Sequence, residues 1–244
     1  MTEPSARRGL VLAYEGLDGA GKSTQIRLLG EKLAQLGLRV ETFRLNANPL
    51  FKNQCRRLNE HDLIGPVEAA LMKASELSGR IEILQQQLGE STVFIWDKYV
   101  IGSVVSDVAR GVETIYTDAI VASLPQADLT IYLDLTPEQA LARKRAIGGP
   151  RVMESGLDVA FGSARQAHEK FAAGGIDAAT VDRCFLEFQG RMMDAYNRYL
   201  PPAGTVRLDG QQPPATLAEI TFEIVHNTAS LDALCSPSRS RNLR

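Results

Sequence analysis

Gly16-Leu17-Asp18-Gly19-Ala20-Gly21-Lys22-Ser23-Thr24 has the spacing G-x-x-x-x-G-K-[ST]. Glycines at these intervals let a backbone curl so that its N–H groups converge on one anion, and a helix starting at Lys22 adds the positive end of its dipole. The Lys22 ammonium is then placed for the β- and γ-phosphates, and the Ser23 hydroxyl for Mg²⁺. The flanks agree. Leu10–Glu15 is a short apolar run that reads as a buried strand. Lys22–Leu36 carries Ile26, Leu28, Leu29, Leu33 and Leu36 at helical spacing, with Gly37 as its stop. Strand, glycine loop and amphipathic helix together predict a site for a nucleoside triphosphate. Its walls are Gly16, Gly19, Ala20, Gly21, Lys22, Ser23 and Thr24, and its ligands a nucleoside triphosphate and Mg²⁺.

Further along, strand and helix patterns alternate. Arg39–Leu45, Thr92–Trp96, Leu129–Leu135 and Thr205–Leu208 read as strands. Pro66 opens a helix to Leu88, with Val67, Ala70, Leu71, Ala74, Leu77, Ile81, Leu84 and Leu88 on one stripe. Strands separated by helices imply right-handed crossovers, hence an α/β fold of the P-loop NTPase kind: three layers, a mostly parallel five-stranded sheet and helices on both faces. Ligand sites in such sheets lie beyond the strand carboxyl ends. One domain is expected over residues 9–228. Residues 1–8 and 230–244 are expected as flexible tails, the second of them basic.

The chain has 244 residues, a net charge of −2 and an apolar content of 44%. That balance argues against a coat for a nucleic acid polymer or an anionic membrane. Twenty of the 27 basic residues are arginine, the side chain that grips phosphate with two parallel hydrogen bonds. Cys55, Cys184 and Cys235 are odd in number and widely spaced, which fits neither a disulfide framework nor a zinc site. Without a long apolar segment or signal pattern, the expectation is a cytoplasmic protein.

Glu15-Gly16-x-Asp18-Gly19-x-Gly21-Lys22-Ser23-Thr24 resembles the thymidylate kinase family, and further segments follow in that family's order. Trp96-Asp97-Lys98-Tyr99 stands where the family has Asp-Arg-Tyr or Asp-Arg-His. Ala127–Pro137 is similar to its Pro-Asp-Leu-Thr-Leu-Tyr-Leu-Asp-Val-x-Pro segment, and Phe188–Tyr199 has the spacing of its Phe-x-x-Val-Arg-x-x-Tyr helix. The resemblance implies transfer of the γ-phosphate of ATP to a nucleoside monophosphate by a homodimer with a lid, here about residues 143–182. It also implies roles. Asp97 sits by Mg²⁺ and the acceptor phosphate, while Lys98, Arg80 and Arg44 hold that phosphate. Asp18 contacts the acceptor's sugar, and Arg143 lies against adenine. Some members carry an arginine inside the loop; at that position this chain has Gly19, so the transfer cation is expected from the lid, first Arg151, then Arg145.

The departures from the family pattern lie on the acceptor side. Lys98 replaces an arginine and loses its fork. Arg44 is followed by Leu45-Asn46-Ala47-Asn48-Pro49 rather than Glu-Pro-Gly; the stacking phenylalanine falls at Glu76, and a family tyrosine near Ser106. The acceptor that the resemblance leads one to expect is dTMP or a modified pyrimidine nucleotide. A kinase of a nucleoside or another small molecule, with Asp97 as general base, is a second reading. A non-catalytic ATP-binding protein is a third. Lys73, Glu76 and Arg80 share one helical stripe, which for Lys73 reads as a surface salt-bridge ladder. Met192 and Met193, spaced with Phe185 and Phe188, read as a packed face or a dimer interface. His61, His168 and His226 have no ligand spacing and read as surface or capping residues.

Overall fold

Leu10, Leu12 and Tyr14 alternate with Val11 and Ala13 along β1 (Gly9–Gly16), and each set packs into a different core cluster. A strand apolar on both sides must be covered on both sides. In the computed structural model, which describes residues 9–44, 53–54, 57–58, 61–87 and 92–228, β1 is the central strand. β2 (Arg39–Arg44), β3 (Thr92–Asp97), β4 (Leu129–Asp134) and β5 (Thr205–Asp209) complete a sheet of order β2-β3-β1-β4-β5, with every pairing parallel. This is the expected α/β class. Leu45, Leu88, Cys55, Cys235 and the two tails lie outside the described residues.

One face is covered by α1 (Lys22–Gln35) and α10 (Pro214–His226), which bring Ile26, Leu29, Leu33 and Val225 onto the sheet. On the other lie α2 (Pro66–Gln87), α3 (Val100–Ala109) and α9 (Ala178–Tyr199). α4 (Thr114–Ser123) packs outside α3. α5 (Pro137–Ala146) follows β4 and starts at a capping box, in which Gln139 N–H donates to Thr136 Oγ1 and Thr136 N–H to the Gln139 side chain.

Residues 143–182 comprise the end of α5, three short helices, α6 (Val152–Ser155), α7 (Leu157–Phe161) and α8 (Ala164–Ala172), and the start of α9. Their Val152, Leu157, Ala167 and Val181 form a small core with Cys184, further along α9. Asp62 reaches across to α8, accepting Ser163 Oγ at 2.6 Å and Arg165 N at 3.3 Å.

One sequence expectation holds and one resolves differently. Met192 is fully buried with Phe185 and Phe188, and Met193 packs on the same cluster, so the pair faces the core. Lys73 takes no part in a ladder along α2: its ammonium pairs with Asp107 of α3, and the two side chains are 14% and 3% exposed. The helical stripe does bring Glu76 to Arg80, at 3.2 Å.

Candidate active site at the carboxyl ends of β1, β2 and β3

Parallel register places the site. Arg44 at the end of β2 is opposite Asp97 at the end of β3, and Tyr14 of β1 also pairs with Asp97. The loop leaving β1 therefore runs beside the Asp97 carboxylate. Ser23 Oγ donates to Asp97 Oδ2 at 2.9 Å; Arg44 Nε reaches the same oxygen at 3.2 Å, and Arg44 Nη2 reaches Ser23 Oγ at 3.0 Å. Three strands thus deliver a hydroxyl, a carboxylate and a guanidinium to one point.

α1 is preceded by Gly21, at φ 95°, with neither a side-chain cap nor an acidic residue in its first turn. Its dipole end is left for an anion. Lys22 is buried and folds back over the loop, donating to the carbonyls of Gly16 at 2.9 Å and Leu17 at 2.8 Å. Burial and the neighbouring Lys98 charge lower its pKa to about 8, against the pull of Asp18, Asp97 and Glu15.

Lys98 leaves β3 in a left-handed conformation, φ 64°, uncommon for a residue with a Cβ. The turn aims its ammonium at Asp18 Oδ1, 2.8 Å away, while Gln189 of α9 donates to Asp18 Oδ2 at 3.3 Å and accepts from Asp18 N at 3.1 Å. Burial alone would raise the Asp18 pKa. The Lys98 and Lys22 charges and these hydrogen bonds outweigh it and hold the carboxyl well below the usual range. Lys98 is raised: burial works against its charge, but Asp18, Glu15 and Asp97 more than offset that.

Beneath the loop lies Glu15, fully buried. Its Oε1 accepts the backbone N–H groups of Tyr99 at 2.9 Å and Gly102 at 3.0 Å, and its Oε2 accepts the Tyr196 hydroxyl at 3.0 Å. A Cβ on Gly102 would come within 2.3 Å of Glu15 Oε2, so glycine is what lets α3 sit this close. Burial raises the Glu15 pKa, opposed by those hydrogen bonds and by Lys22.

The remaining expected site residues fall in three groups. Arg143 spans from the phosphate loop to the turn after β5, donating to Ala20 O at 3.2 Å and Gly210 O at 2.6 Å. Arg80 lies with its guanidinium 5.9 Å from the Phe43 ring, one residue before Arg44, and so borders the same end of the sheet. Arg151 starts α6, and its backbone N–H donates to Glu154 Oε2 at 3.1 Å. Arg145 is held apart from the loop cluster by an ion pair with Asp182 of α9 and is 61% exposed. Sequence reasoning missed Glu15 as a hydrogen-bond hub, and it missed Gln189 and Tyr196. Glu15 had a signal, a carboxylate inside a buried strand; a lone glutamine on an amphipathic helix has none.

A thymidylate kinase family model matches residues 14–174, well over half of the chain. The chain belongs to the thymidylate kinase family. It is 24% identical over 209 residues to a probable thymidylate kinase 2 of Saccharolobus solfataricus, covering 84% of this chain and 90% of that one. Against a thymidylate kinase of Thermoanaerobacter sp. it is 32% identical over 146 residues, 56% of this chain and 71% of the relative. With a thymidylate kinase of Prosthecochloris aestuarii it shares 27% identity over 232 residues, 91% and 96% of the two chains. As a member of the thymidylate kinase family it is a nucleoside monophosphate kinase, which transfers a phosphoryl group from ATP to a nucleoside monophosphate. Among the described residues no helix is long and apolar enough to cross a membrane.

Proposed function

We propose that the acceptor is dTMP, phosphorylated with Mg-ATP by a cytoplasmic homodimer, and that the expected site residues carry the reaction in the following roles. The observation that supports this most directly is the meeting of Ser23, Asp97 and Arg44 at one carboxylate oxygen, because it joins the donor loop to the acceptor side. Mg²⁺ at a nucleotide site takes most of its oxygens from phosphates and water, so one hydroxyl and one carboxylate side by side fit it as protein ligands. Ser23 and Asp97 would hold the ion, which draws charge off the phosphate oxygens when bound.

The loop from Gly16 to Thr24 cradles the triphosphate, with Lys22 swinging from the Gly16 and Leu17 carbonyls onto phosphate oxygens. Arg143 flanks adenine. Arg44, Arg80 and Lys98 bind the acceptor phosphate, and Asp18, ionised and held from two sides, accepts a sugar hydroxyl. Residues 143–182 act as the lid, with Arg151 and Arg145 its candidate cations. The acceptor phosphate oxygen is already a nucleophile, so catalysis consists of alignment and charge neutralisation. Glu76, buried against Arg80 where the family stacks a phenylalanine, favours one second reading: a pyrimidine nucleotide carrying a polar substituent.

ADP release from Mg-ATP against a panel of nucleoside monophosphates, nucleosides and hydroxymethylated pyrimidine nucleotides tests this, with Lys22→Ala as the blank. Best turnover on dTMP is expected, with Arg44→Ala and Arg80→Ala raising the acceptor KM more than they lower kcat. Preference for a nucleoside, or unchanged KM in both variants, would overturn the assignment.

A further inference from the structure

α5 ends in three consecutive cations that go three different ways. Arg143 goes to the carbonyls of Ala20 and Gly210, and Arg145 to Asp182. Lys144 goes over the phosphate loop. A Cβ built on Gly19, which has φ +101°, would lie 3.3 Å from Lys144 Cγ and 2.9 Å from Ala140 O. The methylene stem of Lys144 therefore occupies the space that a side chain at position 19 would enter. Its ammonium donates to Glu154 Oε2 at 2.7 Å, with the two side chains 13% and 23% exposed.

Glu154 does not stand alone. The same oxygen accepts Arg151 N, and the Glu154 carbonyl accepts Gln189 Nε2 at 2.9 Å. Gln189 in turn holds Asp18, the loop residue before Gly19. One polar chain thus runs from the loop through α9 to α6 and back to Lys144. The helix that carries Lys144 is rigid, with Ala140 and Leu141 buried and its start closed by the capping box.

We propose that Lys144 is a further catalytic residue: its ammonium moves from Glu154 onto the γ-phosphoryl group of ATP and adds, beside Arg151 and Arg145, a cation where the loop has Gly19. This rests on the kinase reading above. In the transfer, the acceptor phosphate oxygen forms a bond to the γ-phosphorus. The bond from that phosphorus to the β,γ-bridging oxygen breaks, and its electron pair leaves with ADP. Lys144 forms no covalent bond and gives up no proton; it balances charge on the moving group. Glu154 holds the ammonium when no triphosphate is bound.

Lys144→Met keeps the length of the stem and removes the charge, and Lys144→Arg restores a cation. The readouts are kcat, KM for ATP, melting temperature, and affinity for ADP with aluminium fluoride in the presence of acceptor. A kcat loss of about 100- to 1000-fold is expected for Lys144→Met, the size seen when one transition-state donor is removed. KM for ATP should change little, the aluminium fluoride complex should weaken in parallel with kcat, and Lys144→Arg should recover part of the loss. Glu154→Gln is the control for a salt bridge that only holds structure. Equal losses in Lys144→Met and Glu154→Gln, with no further loss in the double variant, would overturn the proposal. So would an unimpaired Lys144→Met in an active wild-type background, which leaves the kinase reading standing. A wild-type protein inert toward every nucleotide would instead overturn both.

Discussion

Replacing Glu15 isolates what a buried carboxylate does beneath a phosphate loop. Glu15→Leu removes the carboxylate that accepts the Tyr99 and Gly102 N–H groups and leaves the Tyr196 hydroxyl with Gly16 O at 3.4 Å. Each buried donor that loses its bond to this carboxylate costs about 1–3 kcal/mol, so the two cost about 2–6 kcal/mol. Burial of the new apolar side chain offsets about 1–2 kcal/mol of that. For a chain of this size the net loss of about 1–4 kcal/mol lowers the melting temperature by roughly 2–16 °C. Glu15→Gln keeps one acceptor oxygen for both N–H groups and turns an amide toward Tyr196, so its loss stays within about 1.5 kcal/mol. The pH dependence has a definite sign. The folded-state pKa of Glu15 is raised, so the folded protein holds the proton that the unfolded chain releases. Its contribution is full below the ordinary glutamate value of 4.5 and is lost as pH rises through the folded value. Wild type therefore loses ground relative to Glu15→Gln as pH increases from acid toward neutral. Urea unfolding at several pH values between 5 and 8 reads both effects. Equal stability of the leucine and glutamine variants, or a pH-independent gap between wild type and Glu15→Gln, would refute the reasoning.

Lys22 gives a second pH signature. With its pKa lowered to about 8, kcat/KM for ATP falls above that pH, since this ratio reports the free enzyme; a flat profile to pH 9.5 would remove Lys22 from the phosphate contacts. In the ligand-free protein the same shift makes stability rise between about 8 and 10.5, where the unfolded chain binds more protons. The Lys73–Asp107 pair joins α2 to α3 and is nearly buried, so Lys73→Met should cost about 3–5 kcal/mol by stranding the carboxylate. Lys73→Met with Asp107→Leu should recover most of that loss in chemical denaturation, and failure to recover would show that packing, not charge, holds the two helices.

The phosphate loop and its strand were legible because both rest on local rules: glycine spacing, and a run of apolar residues bounded by a turn. All five strands lie where the apolar runs indicated, each ending within about two residues of its expected limit wherever the chain is described. Arg44 and Asp97 were each legible as strand-end residues, but their pairing depends on parallel register, which no local pattern encodes. Lys73 shows the same limit. Spacing along α2 brings Glu76 to Arg80, yet Lys73 is claimed by a carboxylate 34 positions away on another helix. Gln189 and Lys144 were invisible for a related reason: their neighbours become neighbours only after α5, α6 and α9 have packed.

The left-handed turn at Lys98 carries a different implication, for laboratory evolution. A side chain with a Cβ in that conformation costs about 1–2 kcal/mol that glycine does not incur. Pressure for heat resistance weighs that strain against the ion pair with Asp18, whose carboxylate a glycine or asparagine at position 98 would strand, whereas pressure for turnover holds a long cation there. Sequencing two libraries of this one codon, one sorted for each trait, would separate the demands of folding from those of chemistry at a single residue. A variant that wins in the first pool and vanishes from the second would mark the site where the two objectives conflict.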